Sequence, residues 1–308
     1  MKGRIIMPLF AALLLAAPAI ADDSVTIHVL GVAQDAGYPQ AGCYEPHCMP
    51  GWEDRGARIT ASSIAVVDNA NDSKLLFDAT PYISDQLYRL HKIAPDGEYT
   101  LDGIFLTHAH IGHYTGLMFF GHEVMGAHGV PVFAMPRMRQ FLENNGPWDQ
   151  LVRYENILLQ SLQDGASVAF DGVTVTPFRV PHRDEYSETV GYRIEGPNKT
   201  AVFIPDIDKW HDWDADIRDV VRDVDYALLD ATFYADGELP GRDMSKIRHP
   251  FIAESMELFE TLSAEEKSRV IFIHMNHTNP AMVAGSEARK TIEDNGFRVA
   301  FEGMQLEL

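Results

Sequence analysis

The segment that decides how this sequence folds is Leu106-Thr107-His108-Ala109-His110-Ile111-Gly112-His113. It follows an apolar run that is predicted to be a strand, Gly103 to Leu106, and it precedes a predicted helix. The imidazoles of His108, His110 and His113 are therefore placed in one short turn at the end of a rigid element. Imidazole is a preferred ligand of zinc and related divalent ions. Packing explains the cluster poorly, because every buried imidazole needs a hydrogen-bond partner.

Further candidate ligands follow other predicted strands. Each comes after an apolar, β-forming run, and they are His182, Asp206 and His274. Side chains that follow neighbouring strands can gather at one sheet edge, so these groups can meet the histidine cluster. The complete set of predicted catalytic-metal ligands is His108, His110, His113, His182, Asp206 and His274.

Strand-like and helix-like segments alternate along the rest of the chain. The predicted strands are Val25 to Leu30, Ser63 to Val67, Lys74 to Phe77, Gly103 to Leu106, Val130 to Phe133, Val173 to Phe178, Val190 to Ile194, Thr200 to Ile204, Tyr226 to Leu229 and Val270 to Ile273. The predicted helices are Pro81 to Leu90, Met138 to Glu143, Trp213 to Val221, Ile252 to Thr261 and Gly285 to Asn295. No linker, low-complexity tract or repeat is evident, so we predict one α/β domain with sheet packed on sheet and helices outside.

Composition and charge exclude several classes of protein. The chain has 308 residues, of which 46% are hydrophobic, so it can bury a large core and is not disordered. Its formal charge of −20 repels a phosphate backbone, and no basic face is evident, so we expect no nucleic-acid partner. Two cysteines leave one disulfide, a metal site or two buried thiols as alternatives.

The N-terminus has the pattern of a secretory signal peptide. Two basic residues precede the apolar run from Ile5 to Ala17, and Ala19-Ile20-Ala21 fits the small-residue pattern before a cleavage site. A membrane anchor is the alternative, but prolines interrupt the run and it is shorter than the ~20 residues of a spanning helix. We predict a signal peptide at 1–21, a domain at 22–308, and a periplasmic or secreted product with no membrane attachment after cleavage. Cleavage removes two positive charges and no negative one, which changes the formal charge from −20 to −22.

Short motifs spread over most of the chain carry a family resemblance. They are Leu30-Gly31, Gly37-Tyr38-Pro39-Gln40, Ser62-Ser63-Ile64-Ala65, Asp78-Ala79-Thr80-Pro81, Thr115-Gly116-Leu117, Asp230-Ala231-Thr232-Phe233, Thr278-Asn279-Pro280 and Phe301-Glu302-Gly303-Met304. With the histidine cluster, they resemble the metallo-β-lactamase superfamily, in the branch of the pyrroloquinoline-quinone biosynthesis B proteins and the cyclic phosphodiesterases of phosphonate breakdown. The resemblance implies a four-layer αβ/βα sandwich of two mixed sheets, with helices outside and a metal site at the shared sheet edge.

The resemblance also implies how the ligands divide between two metal ions. His108, His110 and His182 would hold the first ion, His113 and His274 the second, and Asp206 would bridge them. Zinc is the expected ion, with manganese or iron as alternatives. The superfamily pattern has an aspartate immediately before its last histidine, where this chain has Gly112. Glycine cannot ligate, so we expect a tight first site and a weaker second one.

His249 and Asp230 are implied as further catalytic residues. His249 lies where superfamily phosphodiesterases carry a histidine aimed at the scissile phosphate, and Asp230 matches an acidic residue that orients it. An imidazole can protonate a leaving oxygen, and a carboxylate can fix its tautomer and raise its basicity. The alternative is that His249 merely caps or packs the helix that follows.

The two cysteines lie where the related branch has a structural zinc loop. Cys43, Cys48 and His277, with His47 or Glu45, would give the four ligands of a closed site. The alternative is a Cys43–Cys48 disulfide, which an exported location makes reasonable. We prefer zinc, because it would staple the N-terminal loop to the C-terminal active-site strand.

Together these features predict an exported, metal-dependent hydrolase that acts on a small phosphodiester or ester-like substrate. The catalytic residues would be Asp206, His249 and Asp230. Its partner would be a small-molecule substrate. A homodimer is an open alternative to a monomer. One rival function is an iron-dependent oxygenase or quinone-biosynthesis role, because histidine and carboxylate ligands also suit Fe(II). A second rival is a non-catalytic metal-binding protein, for which Gly112 is the main argument.

Overall fold

Residues 24–308 are described by the structure, a computed structural model, and they build two mixed β-sheets. The strands of this region are β1 (Val25–Gly31), β2 (Ser63–Asp68), β3 (Ser73–Phe77), β4 (Thr100–Phe105), β5 (Val130–Ala134), β6 (Ile157–Ser161), β7 (Val168–Ala169), β8 (Thr174–Arg179), β9 (Val190–Glu195), β10 (Thr200–Ile204), β11 (Tyr226–Asp230), β12 (Val270–Ile273), β13 (Arg298–Val299) and β14 (Gln305–Glu307). One seven-stranded sheet has the order β14-β1-β2-β3-β4-β5-β6, and the other has the order β13-β12-β11-β10-β9-β8-β7.

Helices flank both sheets. Those of the described region are α1 (Met49–Glu53), α2 (Ile83–Ile93), α3 (Ile111–Tyr114), α4 (Pro136–Asn144), α5 (Trp148–Arg153), α6 (Ile217–Arg222), α7 (Ile252–Leu258), α8 (Ala264–Arg269) and α9 (Glu287–Asp294).

The two-residue period of the strands separates two layers of core. In β3, Leu75 and Phe77 belong to the core between the sheets, whereas Leu76 packs with Ile83 of α2 and Leu142 of α4. Successive side chains of a strand point to opposite faces, so a strand that is apolar at every position is buried on both faces. Helices α8 and α9 contact strands β12 and β13 of the second sheet. The result is four layers in the order helix, sheet, sheet, helix.

The predicted fold class is confirmed. All ten predicted strands and all five predicted helices overlap an observed element. The strands absent from the prediction are β6, β7, β13 and β14, of which β7 and β13 have only two residues each. A strand of two residues has too few side chains to show the two-residue alternation that predicts a strand.

The predicted signal peptide at 1–21 lies outside the described residues. Among residues 24–308, no helix combines the length and apolar character that crossing a membrane requires.

Candidate metal centre

Loops that follow parallel strands bring the predicted ligands to one edge of the sandwich. Strands β3 and β4 are parallel, as are β10, β11 and β12, so their C-terminal ends point the same way within each sheet. His108 lies three residues past the end of β4, Asp206 two residues past β10 and His274 directly after β12. All three side chains are buried.

The first ligand cluster consists of His108, His110, His182 and Asp206. The Nε2 atoms of His108 and His182 each lie 3.3 Å from the Asp206 carboxylate. The Nδ1 atom of His110 lies 2.8 Å from Nε2 of His108 and 3.3 Å from Nε2 of His182. Ligand atoms of all four residues lie within 4.8 Å of one another, an arrangement that fits one divalent ion with nitrogen and oxygen ligands.

The second ligand cluster consists of Asp35, His113 and His274, whose ligand atoms also lie within 4.8 Å of one another. Nε2 of His113 is 3.6 Å from Oδ1 of Asp35 and 3.8 Å from Oδ2 of Asp206. Within the described region, Nε2 of His113, Nε2 of His274 and Oδ1 of Asp35 are buried and have no hydrogen-bond partner. Buried polar atoms without partners are costly, so three that converge on one point fit a bound cation.

Partners behind the histidines fix which ring nitrogen faces the centre. In four of them Nδ1 contacts an oxygen, which leaves Nε2 for an ion. These contacts are His108–Thr107 (3.0 Å), His113–Asp78 (2.7 Å), His182–Asp208 (3.2 Å) and His274–Thr232 (3.2 Å). His110 has the reverse arrangement, because its Nε2 lies 3.3 Å from Oε2 of Glu185 and its Nδ1 faces the cluster.

Several residues around the centre have backbone conformations that non-glycine residues rarely adopt. The φ angle is +65° at His274, +64° at Asp78 and +33° at Asp35. Such conformations cost about 1–3 kcal/mol each and persist where the surrounding structure enforces them, often at functional sites. They aim these side chains into the sheet edge.

The buried charges of the centre shift one another's pKa values. Burial raises the pKa of the Asp206 carboxyl, but the nearby imidazoles of His182 and His249 outweigh burial and hold that pKa well below its usual range. Burial lowers the pKa of His182, yet the Asp206 carboxylate overrides it and raises the value to about 10. In the same way, burial is outweighed at His113 by Asp78, and the pKa rises to about 9. A divalent ion replaces such protons, so metal uptake is expected to release them.

His249 and Asp230 are in contact at the margin of the first ligand cluster. Nδ1 of His249 lies 2.9 Å from Oδ2 of Asp230 and 3.2 Å from Oδ1 of Asp206. Burial lowers the pKa of His249, but the carboxylates of Asp230 and Asp206 outweigh it and raise the pKa. Helix α7 begins at Ile252 after the N-cap residue Phe251, and the His249 ring is hydrogen-bonded to Asp230 and Thr232, so capping of the helix does not account for His249.

A cavity of about 590 Å³ opens beside the first ligand cluster, and His249 lines it. Four cationic side chains share its wall, namely Arg183, Arg242, Lys246 and Arg248. The lining carboxylates are Asp35 and Asp208, and Arg248 forms an ion pair with Asp208. The wall therefore has the opposite sign to the chain as a whole, whose formal charge is −20.

The cysteine loop differs from the preferred expectation of a structural zinc. The structure joins Cys43 and Cys48 in a disulfide, with a Cα–Cα distance of 6.1 Å. Sulfur in a disulfide has no thiolate for zinc, so the alternative pairing is the one that the structure contains. His47 and His277 stack at 5.6 Å beside it, and potential ligand atoms of all four residues lie within 4.8 Å of one another. Zinc binding by Cys43, Cys48 and His277 thus stays a prediction for the reduced chain, with His47 rather than Glu45 in position as the fourth ligand.

Thiol titration distinguishes the two states of this loop. We expect the purified protein, denatured without reductant, to give no free thiol, and to give two after reduction, because the chain has two cysteines. Ellman's reagent measures both. Two free thiols before reduction, together with a zinc ion that is lost in Cys43→Ser, would contradict the disulfide and support the zinc staple.

The comparisons with known proteins agree with this fold and site. A family profile described as the β-lactamase superfamily domain matches residues 73–275. The chain therefore belongs to the β-lactamase superfamily, as the histidine cluster and motifs predicted.

Within the superfamily the chain is similar to coenzyme PQQ synthesis protein B. It is 28% identical to that protein from Methylobacterium sp. (strain 4-46), over 91% of this chain and 99% of the relative. It is 26% identical to that from Cupriavidus necator, over 92% of this chain and 99% of the relative. Zn²⁺-bound PqqB from Methylobacterium extorquens has the same fold, with a TM-score of 0.73, 23% identity, and coverage of 92% of this chain and 100% of that one. A diphosphatase of the PhnP family also shares the fold, with a TM-score of 0.66, 22% identity, and coverage of 92% and 97%.

The structure brings together all six predicted catalytic-metal ligands and adds residues that the sequence did not single out. Asp35 joins the second ligand cluster, while Asp78 and Asp208 hold histidines from behind. Asp78 follows β3 directly, so the strand-end signal that identified Asp206 and His274 was also present there. Asp35 lies four residues past the end of β1, whose C-terminal end points the same way as that of β3, so the strand-end signal was present there too.

Proposed function

We propose that this chain is an exported, metal-dependent hydrolase of a small anionic phosphodiester or related ester. The observation that carries the proposal is the convergence of the first ligand cluster beside a cavity with a cationic wall. Divalent ions held by the two clusters would lower the pKa of water and stabilise negative charge that develops on oxygen. A cavity of about 590 Å³ has the size of a small-molecule site.

The side chains around the cavity can perform the remaining steps. In hydrolysis, the oxygen of water bonds to phosphorus, the bond to the leaving oxygen breaks, and that oxygen needs a proton. His249 is placed to give it, because Asp230 holds its Nδ1 and leaves Nε2 for a group in the cavity. Asp206 lies between both clusters, since its Oδ2 is 3.3 Å from His108 and 3.8 Å from His113.

The cationic wall favours an anionic substrate over a neutral one. Among the described residues Arg242 forms no ion pair, and Lys246 and Arg183 contact carboxylates only at 3.4 and 3.6 Å. Their charges are therefore available to a phosphate or carboxylate group, and they attract anions toward an otherwise acidic protein. This supports a phosphodiester more strongly than a neutral lactone.

The direct test is hydrolysis of bis(p-nitrophenyl) phosphate by the protein loaded with zinc or manganese. We expect p-nitrophenolate release that stops when the metals are chelated. A protein with a full complement of metal that is inert towards phosphodiesters, esters, lactones and β-lactams would refute the proposal and favour a metal-binding role without catalysis.

Charge reversal at Arg242 tests the anionic preference. We expect Arg242→Glu to raise KM for the anionic phosphodiester about 3–10-fold, a modest effect because the side chain is exposed, and to leave a neutral ester unaffected. Steady-state kinetics on both substrates measures this. Lys290→Glu makes the same change in net charge at an exposed position away from the cavity and serves as control. Equal effects of the two variants would argue against an anion site at Arg242.

A second candidate function is a role like that of coenzyme PQQ synthesis protein B. Similarity to that protein over 91% of this chain favours it. The first ligand cluster also suits Fe(II), so an iron-dependent oxygenase acting on a quinone precursor is the form that this role would take. Oxygen consumption with Fe(II) and such a precursor, without phosphodiester hydrolysis, would select it.

Export to the periplasm or the medium is part of the proposal. The signal-like pattern at 1–21 supports it, and so does the disulfide, because disulfides persist in oxidising compartments. The proposed partner is a small-molecule substrate, with neither nucleic acid nor membrane involved. Gel filtration would decide between a monomer and a homodimer.

A further inference from the structure

We propose that Asp35 is the carboxylate ligand of the second metal ion and that it takes the place of the carboxylate missing at Gly112. The proposal rests on the metal centre of the proposed function but not on the hydrolysis of any substrate. It changes the expectation for the second site, which the sequence alone left with two histidines and a shared Asp206.

Asp35 fills the space that a side chain at position 112 would need. A Cβ atom built on Gly112 would lie 2.4 Å from Cα of Asp35 and 2.5 Å from its Oδ1. Real Cβ atoms essentially never approach other atoms that closely. A carboxylate at 112 and the observed position of Asp35 are therefore mutually exclusive, and glycine at 112 admits the Asp35 loop to the metal edge.

Oδ1 of Asp35 faces the other ligand atoms of the second cluster, as a ligand of the same cation would. Oδ1 lies 3.6 Å from Nε2 of His113 and is buried, with no hydrogen-bond partner in the described part of the chain. The Nε2 atoms of His113 and His274 are buried and unpartnered in the same way, and the two side chains are 1% and 0% exposed. Three buried, unpartnered ligand atoms thus converge from three separate loops, although the Asp35 side chain as a whole is 35% exposed.

The loop that carries Asp35 is tied to the strand end that carries His274. Main-chain hydrogen bonds join Gln34 N to Met275 O and Met275 N to Val32 O, both at 2.8 Å. A turn closed by Gly37 N and Gln34 O, at 2.9 Å, gives Asp35 its φ of +33°. Asp35 and His274 are consequently held in one rigid unit, as a preorganised metal site requires.

Metal titration of Asp35→Asn tests the proposal. Asparagine has the same shape and tolerates the left-handed conformation, so the loop is retained while the charge is lost. The oxidised protein is stripped with a chelator and titrated with Zn²⁺ against a chromophoric competitor, and elemental analysis after gel filtration counts the bound ions. The Cys43–Cys48 disulfide keeps thiolates out of the count.

We expect the unaltered chain to bind two ions and Asp35→Asn to bind the first unchanged and the second about 10–100-fold more weakly. Asp35→Gly, which also fits a positive φ, removes the oxygen altogether and excludes coordination by the asparagine amide. Asp214→Asn, an exposed carboxylate away from the centre, should behave like the unaltered chain.

Two results would overturn the proposal. One is a second ion bound by Asp35→Gly with the affinity of the unaltered chain, and the other is a single ion in the unaltered chain. Because the titration uses metal alone, failure of the hydrolase proposal would leave its outcome interpretable.

Discussion

Asp206→Asn is expected to lower kcat/KM for phosphodiester hydrolysis by about 10²–10⁴-fold. Asp206 contacts histidines of both ligand clusters, and disturbing one metal site costs about 10–100-fold, so a loss at both sites multiplies. The asparagine also removes the buried negative charge that both divalent ions would face, so binding of both ions should weaken. Elemental analysis of the purified variant and steady-state kinetics at saturating metal measure the two effects.

Asp212→Asn is the matched control, because Asp212 is exposed and the ion pair of its carboxylate among the described residues is with His211, at 3.7 Å. Asp206→Glu retains the charge and should keep the first ion while it lowers activity. An Asp206→Asn variant that holds two ions tightly and loses less than tenfold in kcat/KM would show that Asp206 does not bridge the two metal ions.

The sequence predicted the centre of this site because its ligands follow a simple rule. His182, Asp206 and His274 come shortly after apolar strands, and a two-sheet sandwich gathers such positions at one edge. The rule needs only the ends of the strands, which local sequence patterns reveal. It therefore located the ligands before their distances were known.

Asp35 escaped prediction although it also follows a strand, four residues past the end of β1. The sequence could not show the position of Asp35 in the second ligand cluster. Its position depends on main-chain bonds to Met275, a residue 240 positions later in the chain, and on the absence of a side chain at Gly112. From the sequence alone, Gly112 is a lost ligand. The structure shows that the same glycine makes room for another carboxylate, which only the packing of the two loops reveals.

The cysteine loop shows a different limit. Cys43 and Cys48 are five residues apart, a spacing that suits either a disulfide or a metal loop. The choice depends on oxidation of the thiols as well as on geometry, and the oxidation state depends on the compartment. Local sequence could therefore name both alternatives, but the preference for zinc rested on the link that it would form between two parts of the chain and not on the oxidation state, which the sequence does not encode.

His249→Gln is expected to lower kcat by about 10²–10³-fold for phosphodiesters with poor leaving groups and much less for p-nitrophenyl esters. General acid catalysis contributes about 10²–10⁴-fold where the leaving oxygen needs a proton, whereas p-nitrophenolate leaves readily without one. In this proposal His249 is not a metal ligand, because its Nδ1 is held by Asp230 and its Nε2 serves the substrate. The variant should therefore keep its metal ions and its KM. Kinetics on a series of leaving groups of increasing pKa measures the difference.

His211→Gln provides the control, since the His211 side chain is 81% exposed and lies outside the cavity lining. An equal loss for good and poor leaving groups would rule out proton donation by His249. Loss of bound metal in His249→Gln would instead make His249 a ligand, since its ring, Asp206 and Asp230 also lie within 4.8 Å of one another. A leaving-group-dependent loss with full metal content is the result that only a general acid produces, because neither a ligand nor a packing residue responds to the leaving group's pKa.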